Sequence, residues 1–129
     1  MTTPHPRARS APRLLEYALG DGWLVLVGKT EADNDELSLR VAEPNDWWFH
    51  VRGMPGSHVV LRAQPDAEPD RATLARAAAI AAYHSKAREG GVVAVSCTRA
   101  RYVSKPRGAK PGTVTIKKET VLKVRPGLP

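Results

Sequence analysis

Asn45-Asp46-Trp47-Trp48-Phe49-His50-Val51-Arg52-Gly53-Met54-Pro55-Gly56-Ser57-His58-Val59-Val60-Leu61-Arg62 is the stretch whose reading decides the fold of this 129-residue chain. It holds two of the three tryptophans, the only phenylalanine and two of the four histidines. Both ends alternate in character, which is the period of an extended strand. Gly53 to Ser57 between them is a turn-forming run. A simple hairpin would set Arg52 opposite His58, His50 opposite Val60, and Trp48 opposite Arg62 on one face. The other face would carry Trp47, Phe49, Val51, Val59 and Leu61, and is apolar enough to be core. The first face mixes an indole, two imidazoles and two guanidiniums, which a core accepts only with partners. It is therefore read as the functional surface.

Working outward, residues 14–19 and 23–28 are apolar stretches around Gly20-Asp21-Gly22, a hairpin signal. Asp33-Asn34-Asp35 supplies helix-starting side chains, and residues 36–42 read as a short helix. Leu37, Leu39 and Val41 also alternate as they would in a strand. Downstream, Asp70 is a good N-cap for a helix over residues 71–89, closed by Gly90-Gly91. Nineteen residues would span roughly 28 Å. Leu74, Ala77, Ala78, Ala81 and Ser85 line one face of that helix, small enough to lie close on a sheet. Residues 92–98, 101–105, 113–119 and 121–124 read as strands, with a basic Gly/Pro-rich loop at Pro106-Arg107-Gly108-Ala109-Lys110-Pro111-Gly112. Strands and helices do not alternate regularly, which favours α+β: a single domain with a mainly antiparallel sheet, one long helix packed on it and a short helix.

With 42% apolar residues the chain can bury a single core. No apolar run reaches membrane-spanning length and no secretory pattern opens the chain. The single cysteine, Cys97, lies in an apolar run, which suits a reducing cytoplasm. Charge is unevenly distributed. Residues 1–13 carry three arginines and no acid and read as a disordered basic tail. Residues 14–85 carry six Lys/Arg against eleven Asp/Glu, whereas residues 86–129 carry eleven against two. A field of this kind suits a polyanion such as nucleic acid.

Catalytic patterns are weak. Ser57 and His58 are neighbours that point to opposite faces of a strand, and no nucleophile elbow is present. Asp46, His50 and His58 match no common zinc spacing. No metal or other cofactor is expected. Asp46 also suits a turn anchor, and Trp48 suits either a core or a stacking platform.

Four segments together resemble a known family. Asp46-Trp47-Trp48-Phe49-His50 with Pro55-Gly56-Ser57-His58-Val59-Val60 is similar to the signature of the NFACT RNA-binding domain. Gly28 with Asn34-Asp35, then Ala82-Tyr83-His84-Ser85-Lys86-Ala87-Arg88, then Val103-Ser104-Lys105-Pro106-Arg107-Gly108-Ala109-Lys110-Pro111-Gly112 follow in the family's order. Where the family commonly shows Gly-Arg-Asn, this chain has Gly28-Lys29-Thr30, which keeps the charge but not the amide. The resemblance covers residues 14–125 and implies a stand-alone copy of this module. In large family members it closes a chain that works on the large ribosomal subunit in ribosome-associated quality control.

The sequence thus leads to an RNA-binding module for structured RNA such as tRNA or ribosomal RNA, cytoplasmic and not an enzyme. Lys86, Arg88, Lys105, Arg107 and Lys110 would neutralise phosphates. His50, Arg52, His58 and Arg62 would hydrogen-bond the RNA, Trp48 would stack on an unpaired base, and Asp46 and Ser57 complete the mapped set. The rival readings are a small metal-dependent or hydrolytic enzyme using Asp46, His50 and His58, and a protein-interaction domain on the ribosome.

Overall fold

The computed structural model describes residues 13–129; apart from Arg13, the expected basic tail lies outside them. The chain runs β1 (Leu14–Gly20), β2 (Trp23–Gly28), α1 (Glu31–Glu36) continuing through a π-helical turn at Leu37–Val41, β3 (Trp47–Val51) and β4 (Val59–Leu61). It then forms α2 (Arg71–Tyr83), β5 (Val93–Arg99), a 3₁₀ turn at Ala100–Tyr102, β6 (Val103–Ser104), β7 (Thr115–Ile116) and β8 (Thr120–Val124). Six strands make one antiparallel sheet in the order β1-β2-β4-β3-β5-β8, and β6 pairs with β7 in a separate ribbon. The α+β expectation holds.

Period-two alternation sends alternate residues of the central strands to opposite faces, and both faces are covered. On one side Val25, Val27, Phe49, Val51, Val59, Leu61 and Val95 pack beneath α2. The helix can lie close because Ala77, Ala78 and Ala81 are fully buried and small. Burying each large apolar side chain of this layer contributes roughly 1.5–3 kcal/mol. On the other side Leu26, Trp48 and Val60 form a second cluster with Leu37 from the π-helical turn and Val103 from β6. The face read as functional is thus largely roofed by α1 and the small ribbon.

The β3–β4 register differs from the simple hairpin by two residues: Trp47 lies opposite Leu61, Trp48 opposite Val60 and Phe49 opposite Val59. A shift of two leaves every side chain on its expected face. Its cause is the connection between the strands, whose backbone bonds to other elements. Ser57 N–H donates to the His84 carbonyl (2.9 Å), and Gly56 forms a bridge with Ser85.

The same contacts end α2 early. It stops at Tyr83, after 13 residues, and residues 84–88 turn away to meet the connection. Helix α1 starts earlier than expected because Thr30, not the Asp33–Asp35 group, is its N-cap. Thr30 Oγ1 accepts from Asp33 N–H (3.0 Å) while Asp33 Oδ2 accepts from Thr30 N–H (3.1 Å). The strands expected at 101–105 and 113–119 shrink to the two-residue β6 and β7. Cys97 is a packed small hydrophobe whose thiol is pushed up to about 12 by burial. Among the described residues no helix is long and apolar enough to cross a membrane.

Candidate nucleic-acid interface

A buried polar chain crosses the roofed face. Trp48 Nε1–H donates to Ser38 Oγ (2.8 Å), which lies 2.7 Å from His58 Nδ1, and His58 Nε2 lies 3.2 Å from the Gly112 carbonyl. An indole can only donate and a carbonyl can only accept. With a neutral His58 the chain runs in one direction, Ser38 donating to Nδ1 and Nε2–H donating to Gly112. Burial pushes the His58 pKa down to about 4, and the adjacent His50 ring, 5.5 Å away between centroids, adds to the effect. The π-helical turn delivers Ser38 to this position.

The backbone of His58 is held as well: its N–H donates to Asn34 Oδ1 (3.0 Å). Asn34 reaches it across Gly28, where an added Cβ would overlap the Asn34 side chain and come within 3.1 Å of its Cα. This explains why Gly28 and Asn34 belong to one motif. Trp48, at 3% exposure, is a buried donor and not a stacking platform. His58 likewise is internal, at 2% exposure.

Asp46 belongs to a different network. Its carboxylate accepts from Glu43 N–H (2.9 Å) and Ala63 N–H (2.7 Å) and pairs with Arg62 (3.3 Å), whose Nη1 also donates to the Val41 carbonyl. Asp46 and Arg62 thus tie chain segments together. Asp46 and His58 are each committed to separate sets of partners. Arg52 is exposed but ion-paired with Glu119 (3.2 Å), which also accepts from Ser96 Oγ. His50 is half-buried and stacked on Trp48 (6.0 Å), with its pKa lowered by burial.

The basic loop is held at its base. Lys105 Nζ pairs with Asp35 (3.1 Å) and donates to the Lys110 (2.6 Å) and Thr113 (3.1 Å) carbonyls. Gly112 N–H donates to Asp35 Oδ1 (3.0 Å). Gly112 has φ +86°, and an added Cβ would meet Glu31 at 2.7 Å. Lys105 is therefore a clasp, while Arg107 and Lys110 are exposed on the loop it closes.

Beside this loop lies an open groove of about 390 Å³ between the start of α1, the β3–β4 connection and the turn after α2. Lys29, Ser57, His84, Lys86 and Arg88 line it, with Glu31 as its carboxylate. Because Glu31 also packs on Gly112, groove and loop are neighbours. Ser57, Lys86 and Arg88 were mapped from sequence; Lys29 and His84 were not. His84 shares a 2.8 Å hydrogen bond with Tyr17 Oη, and burial lowers its pKa, with Arg88 adding to the effect. The only sequence signal for His84 was its place beside Ser85-Lys86.

An α+β fold covered on both faces of its sheet, with a clasped basic loop and an adjoining cationic groove, has the build of a small polyanion-binding module. The chain belongs to the NFACT RNA-binding domain family: the model described as "NFACT protein RNA binding domain" matches residues 15–118. It is 45% identical over 115 residues to the Rqc2 homolog RqcH of Bacillus subtilis (strain 168), a match covering 89% of this chain and 20% of that protein. The Rqc2 homolog RqcH of Streptococcus suis (strain 05ZYH33) is 41% identical over 111 residues, covering 85% and 20%. Among solved structures, the C-terminal part of the fibronectin/fibrinogen-binding protein from Streptococcus suis superposes with a TM-score of 0.81 at 38% identity. That match covers 92% of this chain and 47% of the other. The chain spans about one fifth of the length of the curated relatives it matches.

Proposed function

We propose that this chain is an RNA-binding module that recognises structured RNA such as tRNA or ribosomal RNA in the cytoplasm, in the service of ribosome-associated quality control. Family membership supports the ligand class. The observation that carries the reading further is the adjacency of two cation sets, Lys29, Lys86 and Arg88 in the groove and Arg107 and Lys110 on the loop. None of these five has a carboxylate partner within ion-pair distance among the described residues. Cations without a carboxylate partner are the ones available to neutralise phosphates.

The module works by binding and not by catalysis in this proposal. Of the residues that an enzyme reading would use, Asp46, His50 and His58, Asp46 holds backbone amides and His58 a loop carbonyl. The link to the ribosome rests on the RqcH relatives, so docking on the large subunit belongs to the same proposal. Crosslinking in the protein's own cells, followed by sequencing of the attached RNA, tests it. Enrichment of tRNA or large-subunit RNA is expected; recovery of protein partners without RNA would favour a protein-interaction domain.

A further inference from the structure

Two arginines of this protein sit over aromatic rings at 4.0 Å or less from the centroid. Arg99 sits 3.9 Å above the Trp47 ring and is used up: it pairs with Glu68 (2.9 Å) and donates to the Asn45 carbonyl (2.7 Å). Arg88 sits 4.0 Å above the Tyr83 ring, and its Nε donates to the Tyr83 carbonyl (2.8 Å). It is exposed, has no carboxylate partner among the described residues, and lines the cationic groove. A ring on one side and a hydrogen bond from Nε hold the guanidinium, and the side chain is still exposed.

We infer that the groove takes an unpaired nucleotide, its phosphate held by Lys29 and Lys86 and its base stacked on the outer face of the Arg88 guanidinium. This inference rests on the RNA-binding reading and adds to it which part of the RNA enters the groove. A guanidinium is planar, and stacking on such planes is how proteins take bases splayed out of single-stranded loops. A base inside a duplex has both faces occupied by its neighbours and cannot use it. The groove volume lies within the range of small-ligand clefts, about 300–1,000 Å³. Ser57 at its wall carries a hydroxyl that suits a ribose or phosphate edge.

The test uses a short RNA with 2-aminopurine at one position, offered to the whole chain single-stranded and annealed to its complement at one salt concentration. Quenching of the free strand's fluorescence on binding is expected, with affinity at least about five-fold above that for the duplex. Arg88→Lys keeps the charge and loses the plane. It should remove the quench and most of the single-strand preference. Tyr83→Leu, which removes the platform beneath, should do the same. Arg88→Lys indistinguishable from the parent, or equal binding of both RNAs without a quench, would overturn the inference. Failure to bind either RNA even at low salt would instead overturn the RNA-binding reading beneath it.

Discussion

His58 Nε2 holds the carbonyl of Gly112 at 3.2 Å, across 54 residues of chain. The loop that presents Arg107 and Lys110 therefore hangs from a histidine beside the central sheet. The Trp48–Ser38–His58 chain behind it fixes the imidazole's tautomer and orientation. The aromatic and imidazole residues that dominate the central stretch are the fastening of the interface, and lysines and arginines from other segments are its surface.

That fastening is sensitive to acid. An unfolded histidine titrates near 6.5, whereas His58 in the fold resists protonation until about 4. Between those values the unfolded state binds more protons, so the stability tied to neutral His58 is complete above pH 6.5 and is lost as pH falls to about 4. The difference amounts to about 3 kcal/mol. Urea unfolding at pH 7 and pH 4.5 should show a larger loss for the parent than for His58→Gln. Parallel pH profiles would contradict the assignment.

Trp48→Phe keeps a ring in the core but removes the donor to Ser38. A buried hydrogen bond of this kind is worth about 1 kcal/mol, and more where its partner stays unsatisfied. A melting temperature lower by several degrees is expected, with the affinity of the folded protein for tRNA unchanged within about two-fold. A large loss of affinity without loss of stability would restore Trp48 as a contact residue.

Gly112→Ala meets two obstacles, a φ of +86° and the Glu31 side chain. Destabilisation of about 1–2 kcal/mol is expected from the backbone alone. Calorimetry of this variant beside Gly108→Ala separates the two causes. Gly108 shares a positive φ of +77° but has open space around its Cβ position, so it should cost less.

Much of the scaffold was legible in the sequence. Alternation in residues 47–51 and 59–61 assigned each side chain to its face, and the alanine stripe of α2 marked the layer that covers one of them. Legibility ended where distant segments decide. Nothing local to Trp48 or His58 says that residues 37–41 and 103–116 fold over them, so a face with mixed chemistry looked open when it is roofed. The alanine pattern ran on toward Glu89, but the helix stops where Ser85 and Lys86 meet the β3–β4 connection. Lys105 read as a free cation because its partner, Asp35, is 70 residues away in sequence. Lys86, Arg88, Arg107 and Lys110 survived as surface candidates because charge without a local partner stays outside.

Lys105→Ala and Lys110→Ala should separate on this basis. Loss of Lys105 frees the loop base and leaves Asp35 with only the Gly112 amide, so stability falls by about 1 kcal/mol along with RNA affinity. Loss of Lys110 should weaken RNA binding and leave the melting temperature within about one degree. Identical effects of the two variants on melting temperature would contradict the clasp.

The central claim is that unpaired cations of the groove and loop grip the phosphates while the Trp48–His58 chain only holds them in place. Its most direct test is the salt dependence of labelled tRNA binding. Five phosphate contacts predict a log–log slope of roughly −3.5 to −4.5 for the parent. Trp48→Phe should keep that slope, and replacing Lys86, Arg107 and Lys110 together by alanine should flatten it by roughly 2 to 3. An unchanged slope in the triple variant, or a flattened one in Trp48→Phe, would contradict the account.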